Sequence, residues 1–580
     1  MQLVKDKFKL WTENDYFDPE TRKELLEIED QKEIEDRFYT DLEFGTGGMR
    51  GILGAGTNRM NKYIIRKLTQ GLAEIIAEHG EGACLRGVVI AYDSRLYSAE
   101  FALETALVLA NNGIRAYLFE SLRPTPELSF AVRFLKTIAG VNITASHNPK
   151  DYNGYKVYWE DGGQLPPRQA QKIINKINEQ KSWVVETSAE ELARKQGLLL
   201  TVGEEIDQAY CEEIKQQLLF PELTRSNGQE LKIVYTPLHG TGGRPVHRVL
   251  QEVGFTSLYL VPEQEKPDPE FTTVESPNPE DPSAFELALQ LAQKQQADIV
   301  LATDPDADRL GLYAQDQNGK YRRFTGNQIG VLLLYYLLSQ KKKLGRLAVN
   351  AVIVKTVAST DLGDAVAASF GVKIVNVLVG FKYIGEQIKD MKDKGWGSYI
   401  FGFEESHGYL AGTYARDKDA VQAAALLAEA ALYYLKREKK TLPEVLEEIF
   451  KSYGYYLDEQ VAISLCGKEG RECIIGVMDQ LRKEIRSNIA GLAIKSIEDF
   501  QIGKRWYLKE NKEESLNLPR ENAIRFSLEG GGFIMARPSG TEPKIRFYFC
   551  IRGDSSQELG ATMKKAKEDF FSSIKHLLQT

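Results

Sequence analysis

One order of elements, strand, helix, strand, helix, strand, is written three times along this 580-residue chain. In the first copy GVVIAYD (Gly87 to Asp93) reads as a buried strand. SAEFALETALVLANNG (Ser98 to Gly113) reads as a capped helix ending at glycine, and IRAYLFE as a second strand. TPELSFAVRFLKT follows as a helix with Thr125 as N-cap and Pro126 at its first position, and AGVNIT is a third strand ending at Thr144. The second copy runs LKIVYTP from Leu231, GGRPVHRVLQEVG, SLYLV, PSAFELALQLAQKQQ and DIVLAT from Asp298. The third runs LAVNAVIVKT, DLGDAVAASFG, VKIVNV, FKYIGEQIKDMKDKG and GSYIFGF from Gly397. Neighbouring parallel strands can be joined only by a crossover, so three such units imply three similar α/β domains with mixed, largely parallel sheets.

The ends of the chain differ from the repeats. A helical stretch precedes them, opened by Asp18 as N-cap with Pro19 in the first turn. From about Tyr455 the pattern becomes two strands around a Pro/Gly/Ser/Thr loop, GGGFIMARPSGTEPKIRFYFCIRG, and a closing helix from about Ser555, which predicts an α+β domain. In KIRFYFCIR, Ile545, Phe547, Phe549 and Ile551 are expected to face a core, with Lys544, Arg546, Tyr548 and Arg552 on a basic outer face. A length near four times a typical domain of about 150 residues agrees. The expected domains are 1–205, 206–322, 323–452 and 453–580.

Charge and cysteine usage narrow the function. The 74 basic and 82 acidic residues give a formal net charge of −8, which argues against a general nucleic-acid coat or a basic membrane-surface protein. No apolar run is long enough for a signal peptide or a membrane span. Cys84, Cys211, Cys466, Cys473 and Cys550 are scattered, without CxxC spacing, and read as reduced thiols of a cytoplasmic protein.

Open α/β sheets bind ligands beyond the carboxyl ends of their strands, so the strings after each third strand are where chemistry is expected. In DPDADR, Asp304, Asp306 and Asp308 alternate along what reads as an extended segment, and three clustered carboxylates need a hard cation between them. An EF-hand is excluded, because its loop needs Gly and Glu where this chain has Arg309 and Gln315. Mg²⁺ in a site completed by a phosphate fits the donor set. Ser146, in TASHNPKDYNGYKVY, falls on a polar turn directly after a buried strand, where its hydroxyl is expected to be exposed and positioned rather than packed. No GxSxG elbow is present, and the ring of His147 is expected to point away from its neighbour, so a hydrolase triad is disfavoured. A phosphoryl-carrying serine needs only a metal and cationic donors around it. In GFEESHG, Glu404, Glu405 and Ser406 suit vicinal sugar hydroxyls, while His407 has no assigned role. RPSGTEPK has the composition of a phosphate cradle, with Arg537 and Lys544 for charge, Ser539 and Thr541 for hydroxyls, and Gly540 for close backbone approach. FGTGGMRG adds Arg50 on a flexible backbone and matches no nucleotide-binding signature. Taken singly, these strings could also be surface turns and solvated loops.

Taken in order, FGTGGMRG, TASHNPKDYNGYKVY, DPDADR, GFKYIGE, GFEESHG and RPSGTEPK, the chain resembles the α-D-phosphohexomutase superfamily over nearly its whole length. Within it the chain looks most like bacterial phosphoglucomutases and type-2 phosphopentomutases. The resemblance implies four domains around a central cleft, and a phosphoserine enzyme that interconverts glucose 1-phosphate and glucose 6-phosphate through glucose 1,6-bisphosphate. Phosphopentomutase, phosphomannomutase, bisphosphate-synthase and silent-sensor activities remain alternatives. Phosphorylated Ser146 and the three aspartates would hold Mg²⁺, and Lys156 and Arg309 would lie near the transferring group, with Arg50 supporting the phosphoserine. Lys382, Glu404, Ser406, Arg537, Ser539, Gly540 and Thr541 would contact the sugar phosphate. His407 directly follows Ser406, unlike the sugar loop of phosphomannomutase/phosphoglucomutase enzymes, so no catalytic histidine is carried over. The implied partner is a phosphorylated sugar, with no nucleic acid or membrane.

Overall fold

The first repeat builds a six-stranded sheet from β1 (Gly48–Ile52), β2 (Val88–Tyr92), β3 (Ala116–Phe119), β4 (Ala139–Ile143), β5 (Tyr152–Trp159) and β6 (Leu199–Val202). Their lateral order is β1-β5-β4-β2-β3-β6. The repeat's own strands β2, β3 and β4 are parallel, while β5 returns antiparallel to β4 and β1 antiparallel to β5. All five residues of β4 are buried, and the one polar member, Asn142, donates its side-chain amide to the Thr125 hydroxyl at 2.7 Å. The second repeat supplies β7 (Ile233–Thr236), β8 (Leu258–Leu260) and β9 (Ile299–Thr303), extended by β10 (Leu310–Gln315) and β11 (Tyr321–Phe324), in the order β11-β10-β9-β7-β8. In the third, β12 (Ala351–Thr356) lies between β13 (Lys373–Val377) and β14 (Ser398–Glu404), parallel to both. The strand β15 (Gly408–Ala411) follows.

The C-terminal region is an antiparallel sheet with helices, as the loss of the repeat implies. It comprises β16 (Tyr455–Ser464), β17 (Asn488–Ile489), β18 (Leu492–Asp499), β19 (Lys504–Tyr507), β20 (Lys512–Ser515), β21 (Ile524–Leu528), β22 (Gly532–Pro538) and β23 (Lys544–Gly553). The path is β16-β23-β22-β21-β18-β19-β20, with β17 on β18. Ile545, Phe547, Phe549 and Ile551 are buried in its core with Phe570 of the closing helix. Tyr548 departs from the expected outer face: it is 3% exposed, on a strand paired on both sides by β16 and β22, with Arg537 and Glu405 close enough to act on its hydroxyl.

This computed structural model describes residues 2–44, 48–165, 167–180, 182–465, 467–484, 486–539 and 544–578. The chain divides into two units. One comprises Met1–Phe324, Ile384–Gly395 and His407–Lys439, and the other Thr325–Tyr383, Trp396–Ser406 and Lys440–Thr580. Among the described residues no helix is long and apolar enough to cross a membrane. Four cysteines, Cys84, Cys211, Cys473 and Cys550, are free thiols, and Cys466 lies outside the described residues.

Two expected caps are corrected. Helix Ser98–Asn111 begins after Tyr97, whose side chain does not cap, because the Ser98 hydroxyl donates instead to Asp93 at 2.7 Å. Helix Thr125–Phe134 takes Pro124 as its N-cap residue, and the Thr125 hydroxyl is committed to Asp306 at 2.8 Å.

The N-terminal extension packs Trp11, Phe17, Leu25 and Phe38 against Tyr63, with Trp11 stacked on Phe17 at 4.4 Å. Asp18 joins it to helix Lys62–Glu78. Its carboxylate caps Thr21 N (2.8 Å), accepts from the Tyr63 hydroxyl (2.7 Å) and pairs with Lys62 (2.7 Å). Burial would raise this carboxyl, but Lys62, Tyr63 and the Thr21 amide outweigh it and hold it well below the usual range. Such a group stabilises the fold above its unfolded pKa of about 3.9, and the contribution is lost as pH falls below that value. Asp18→Ala is expected to lower unfolding free energy at neutral pH by about 1–2 kcal/mol and to flatten the acid limb of a urea-denaturation pH series.

Candidate active site

The turn after β4 is shaped by backbone proximity before any side chain acts. On β5, Gly154 passes so close to the turn that a Cβ there would lie 2.4 Å from the Thr144 carbonyl oxygen. The Thr144 hydroxyl bridges two elements, donating to Asp93 at 2.6 Å and accepting from Ser146 N at 2.8 Å. Ser146 takes φ +55°, a left-handed conformation that non-glycine residues adopt only when their surroundings enforce it. The enforcing group is Arg95, whose guanidinium donates to the carbonyls of Ser146, Asn148, Pro149 (2.7 Å) and Tyr152 (3.1 Å). Arg95 is itself paired with Asp93 at 3.3 Å, both side chains fully buried. Arg50 on β1 reaches the same turn and donates to Asn148 Oδ1 at 3.1 Å.

DPDADR is a tight turn rather than the extended segment expected from its alternation. β9 ends at Thr303, Ala307 N donates to Asp304 O at 2.9 Å, and Ala307 adopts φ +49°. The amides of Asp308 and Arg309 both donate to Asp304 Oδ1 at 3.0 Å. Turning, not alternation, gathers the carboxylates: one oxygen from each of Asp304, Asp306 and Asp308 lies within 4.8 Å of the others, all three side chains buried.

Cations from other elements offset this charge. Lys156 on β5 places Nζ 2.6 Å from Asp306 Oδ2 and 3.5 Å from Asp308 Oδ2, and Lys418 lies 2.9 Å from Asp308 Oδ2. Burial, then the neighbouring carboxylates of Asp306 and Asp308, pushes Asp304 well above the usual range. Burial acts on Asp306 in the same direction, yet the Lys156 ammonium holds it low. The Oδ1 atoms of Asp306 and Asp308 are buried without a hydrogen-bond donor. Three carboxylates that retain unused oxygens are a donor set that fits a hard, oxygen-ligated divalent cation.

The serine and the carboxylates meet. Ser146 departs from the expected exposure: it is 1% exposed, because the carboxylate turn covers it, and it donates its hydroxyl to Asp304 Oδ2 at 2.7 Å. His147 departs from expectation: its Nδ1 lies 3.3 Å from Ser146 Oγ, because the left-handed serine turns the chain back on itself. Arg309, 12% exposed, pairs with Glu280. His407 pins β15 to β10: its Nδ1 donates to Leu310 O at 3.0 Å, and its carbonyl accepts from Leu310 N at 3.1 Å. Burial lowers its pKa, which suits a neutral ring held in structure.

The other unit carries the remaining candidates. Ser406 donates to Glu404 Oε1 at 2.9 Å, and Glu405 accepts from Thr356 at 2.8 Å. Lys382, on the first turn of helix Phe381–Lys394, has its ammonium 4.8 Å from the Tyr383 ring centre. Arg537 donates to Glu521, and Ser539 N donates to Lys544 O at 2.7 Å. Burial would lower the Arg537 guanidinium, but Glu521 keeps it charged. Gly540 and Thr541 lie outside the described residues.

Three contributors escaped the sequence reading. Arg95 lies in YDSR, just past the carboxyl end of the first strand of its repeat, an end not read for chemistry. Lys418 lies in RDKD after β15, where its string resembles any charged loop. Thr125 was assigned to a cap. Arg95, the strongest of these, had the one available signal, since strand ends of any rank face the ligand side.

Comparison with known proteins gives the family and the fold. Models of the phosphoglucomutase/phosphomannomutase alpha/beta/alpha domains I, II and III match residues 41–183, 208–319 and 325–453. A phosphoglucomutase of Staphylococcus haemolyticus is 40% identical over 528 residues, 90% of this chain and 93% of that protein. One from Staphylococcus saprophyticus is 37% identical over 551 residues, 95% and 97% of the two chains. Among solved structures, the open form of the Paramecium phosphoglucomutase pp63/parafusin superposes with TM-score 0.68 at 16% identity, covering 93% of this chain and 96% of that one. A phosphoglucomutase/phosphomannomutase family protein of Burkholderia thailandensis gives 0.66 at 19%, covering 92% and 97%. These two likenesses establish the fold.

Arg95→Ala would strip four carbonyls of their donor and leave Asp93 buried without its cation. Chemical denaturation is expected to show a loss of about 3–5 kcal/mol, with faster proteolysis in the 146–152 turn.

Proposed function

The chain belongs to the phosphoglucomutase/phosphomannomutase family, and on that premise we propose that it is an isomerase, a phosphoglucomutase, which interconverts α-D-glucose 1-phosphate and glucose 6-phosphate. The observation that carries this reading is the Ser146 hydroxyl, buried and 2.7 Å from one of three clustered carboxylates. Phosphorylated Ser146 donates its phosphoryl group to the free hydroxyl of either hexose phosphate: the Oγ–P bond breaks, a bond from phosphorus to the sugar oxygen forms, and the hydroxyl proton passes to Ser146 Oγ, giving glucose 1,6-bisphosphate. The bisphosphate turns over, its other phosphoryl group returns to Ser146 Oγ, and the isomer leaves. Atoms balance over the cycle, and the serine ends as it began.

Asp304, Asp306 and Asp308, with an oxygen on Ser146, would hold Mg²⁺, which supplies neutralisation of charge at the transferring phosphoryl group. The protein's own groups do the rest. Lys156 and Lys418 add positive charge where phosphoryl transfer, with its loose, charge-dominated transition state, benefits from it. Arg309 stands beside the same turn. Arg50 and Arg95 fix the serine's turn, and burial of Ser146 keeps water from its phosphate. Glu404 and Ser406 are assigned to sugar hydroxyls, Lys382 to substrate contact, and Arg537, Ser539, Gly540 and Thr541 to the phosphate that does not react. Along the chain this assigns the serine to 1–205, the metal loop to 206–322, the sugar loop to 323–452 and the phosphate loop to 453–580. A cytoplasmic setting accords with free thiols at the four described cysteines.

Intact mass is expected to show one covalent phosphoryl group, absent in Ser146→Ala, whose turnover should fall on the order of 10⁴-fold or more. Parallel assays on glucose, mannose and ribose 1-phosphates should favour glucose. Reaction of the pentose phosphate alone would make the chain a phosphopentomutase and overturn the substrate assignment.

Chelation should abolish turnover and Mg²⁺ restore it, while Asp308→Asn should raise the Mg²⁺ concentration needed for half-maximal rate roughly ten-fold or more.

A further inference from the structure

At the opposite end of β4 from Ser146 lies a cavity of about 610 Å³. Lys136, exposed at its edge, precedes β4, and Glu160 and Asp161 follow β5, its antiparallel neighbour. The five-residue β4 separates this end from the serine turn by about 15 Å. Nine residues line the cavity, six cationic and three acidic, a surplus of three positive charges on a chain whose net charge is −8.

Two of the six cations are already balanced: Arg86 pairs with Glu160 at 2.9 Å and Lys389 with Asp393. Among the described residues, Arg133, Lys136 and Lys392 make no ion pair within 4 Å. Arg133 spends one nitrogen on the carbonyls of Thr413 (2.7 Å) and Tyr414, and its burial pulls the guanidinium below its usual pKa. Arg416, 2% exposed, is the buried wall. Arg133 and Arg416 are the cations set below the surface, while Lys136 and Lys392 stand exposed at the rim, so the local field of the cavity attracts a multiply charged anion. One phosphate monoester would leave about one charge uncompensated; a phosphorylated carboxylic acid or a bisphosphate matches the surplus.

We propose that this cavity is a second anion site, separate from Ser146, for a small metabolite carrying three to four negative charges. It also reaches the candidate active site through one short segment. Arg133 grips the carbonyls of Thr413 and Tyr414, Arg416 N donates to Ser129 at 2.8 Å, and two residues later Lys418 reaches Asp308 at 2.9 Å. A bound anion holds both guanidiniums, and with them the segment that carries Lys418, so occupancy raises turnover. This coupling rests on the mutase reading; the binding does not.

The test is calorimetric titration of 3-phosphoglycerate into the full chain at low salt, into Lys136→Glu/Lys392→Glu, and into Arg537→Ala as a control for the other anion loop. Lys136 and Lys392 are exposed, so the double variant should melt as the parent does. Binding is expected in the parent and in Arg537→Ala, and about ten-fold weaker or worse in the double variant. Saturating ligand should raise kcat about two-fold or more in the parent and leave it unchanged in the double variant. Equal affinity in parent and double variant, absence of binding in the parent, or loss of binding in Arg537→Ala alone would overturn the site. An unchanged kcat at saturation would overturn the coupling. The binding arms need no turnover, so they succeed or fail independently of the proposed reaction.

Discussion

Three carboxylates buried within 4.8 Å of one another are the constraint around which the first unit is arranged. At that spacing, in partial desolvation, their mutual repulsion is too large to leave uncompensated. Each neighbouring element contributes to the remedy. β5 supplies Lys156, the loop after β15 supplies Lys418, helix Thr125–Phe134 supplies a hydroxyl, and the turn itself supplies two amides to Asp304. Lys156 and Thr125 come from the first repeat, the two amides from the second repeat's own turn and Lys418 from the segment after β15, so the interactions that tame the charge also fasten the second repeat's turn to the first repeat's sheet. Two oxygens are still unsatisfied, the mark of a site built for a cation rather than for stability.

The serine turn shows the complementary solution. Arg95 is a cation held almost wholly by neutral carbonyls, with one buried carboxylate behind it. Its planar fork offers five N–H donors in fixed directions, where a lysine offers three on a single nitrogen. The left-handed Ser146 is therefore the product of a rigid scaffold that fixes the direction in which its oxygen is presented. A chain of net charge −8 can work on anions because the relevant field is local: Arg50, Arg95, Lys156 and Lys418 all lie at or beside this turn and the carboxylates.

Much of this was legible from residues alone. The threefold strand-helix order, the buried β4 and β9, the Asp18 cap and the antiparallel C-terminal sheet follow from periodicity, apolar runs and turn residues, which act over a few positions of sequence. The strings holding Ser146 and the aspartates stood out because of where they fall, at the carboxyl ends of third strands. Thr125 was mistaken for a cap because both uses demand the same hydroxyl at the same helix start. Only the position of Asp306, 181 residues away, separates them.

The sequence by itself determined the class of fold, the number of repeats and which residue types stand at the carboxyl ends of the third strands, since these depend on short-range pattern and residue type. The tertiary structure decided that DPDADR turns rather than extends, that His147 faces Ser146, that His407 is a strut, and that Arg95 and Lys418 belong to the site. Those outcomes depend on which distant carbonyl or carboxylate a side chain meets. Electrostatic and hydrogen-bond energies are set by distances between atoms, and no spacing along the chain encodes the distance between Lys418 and Asp308.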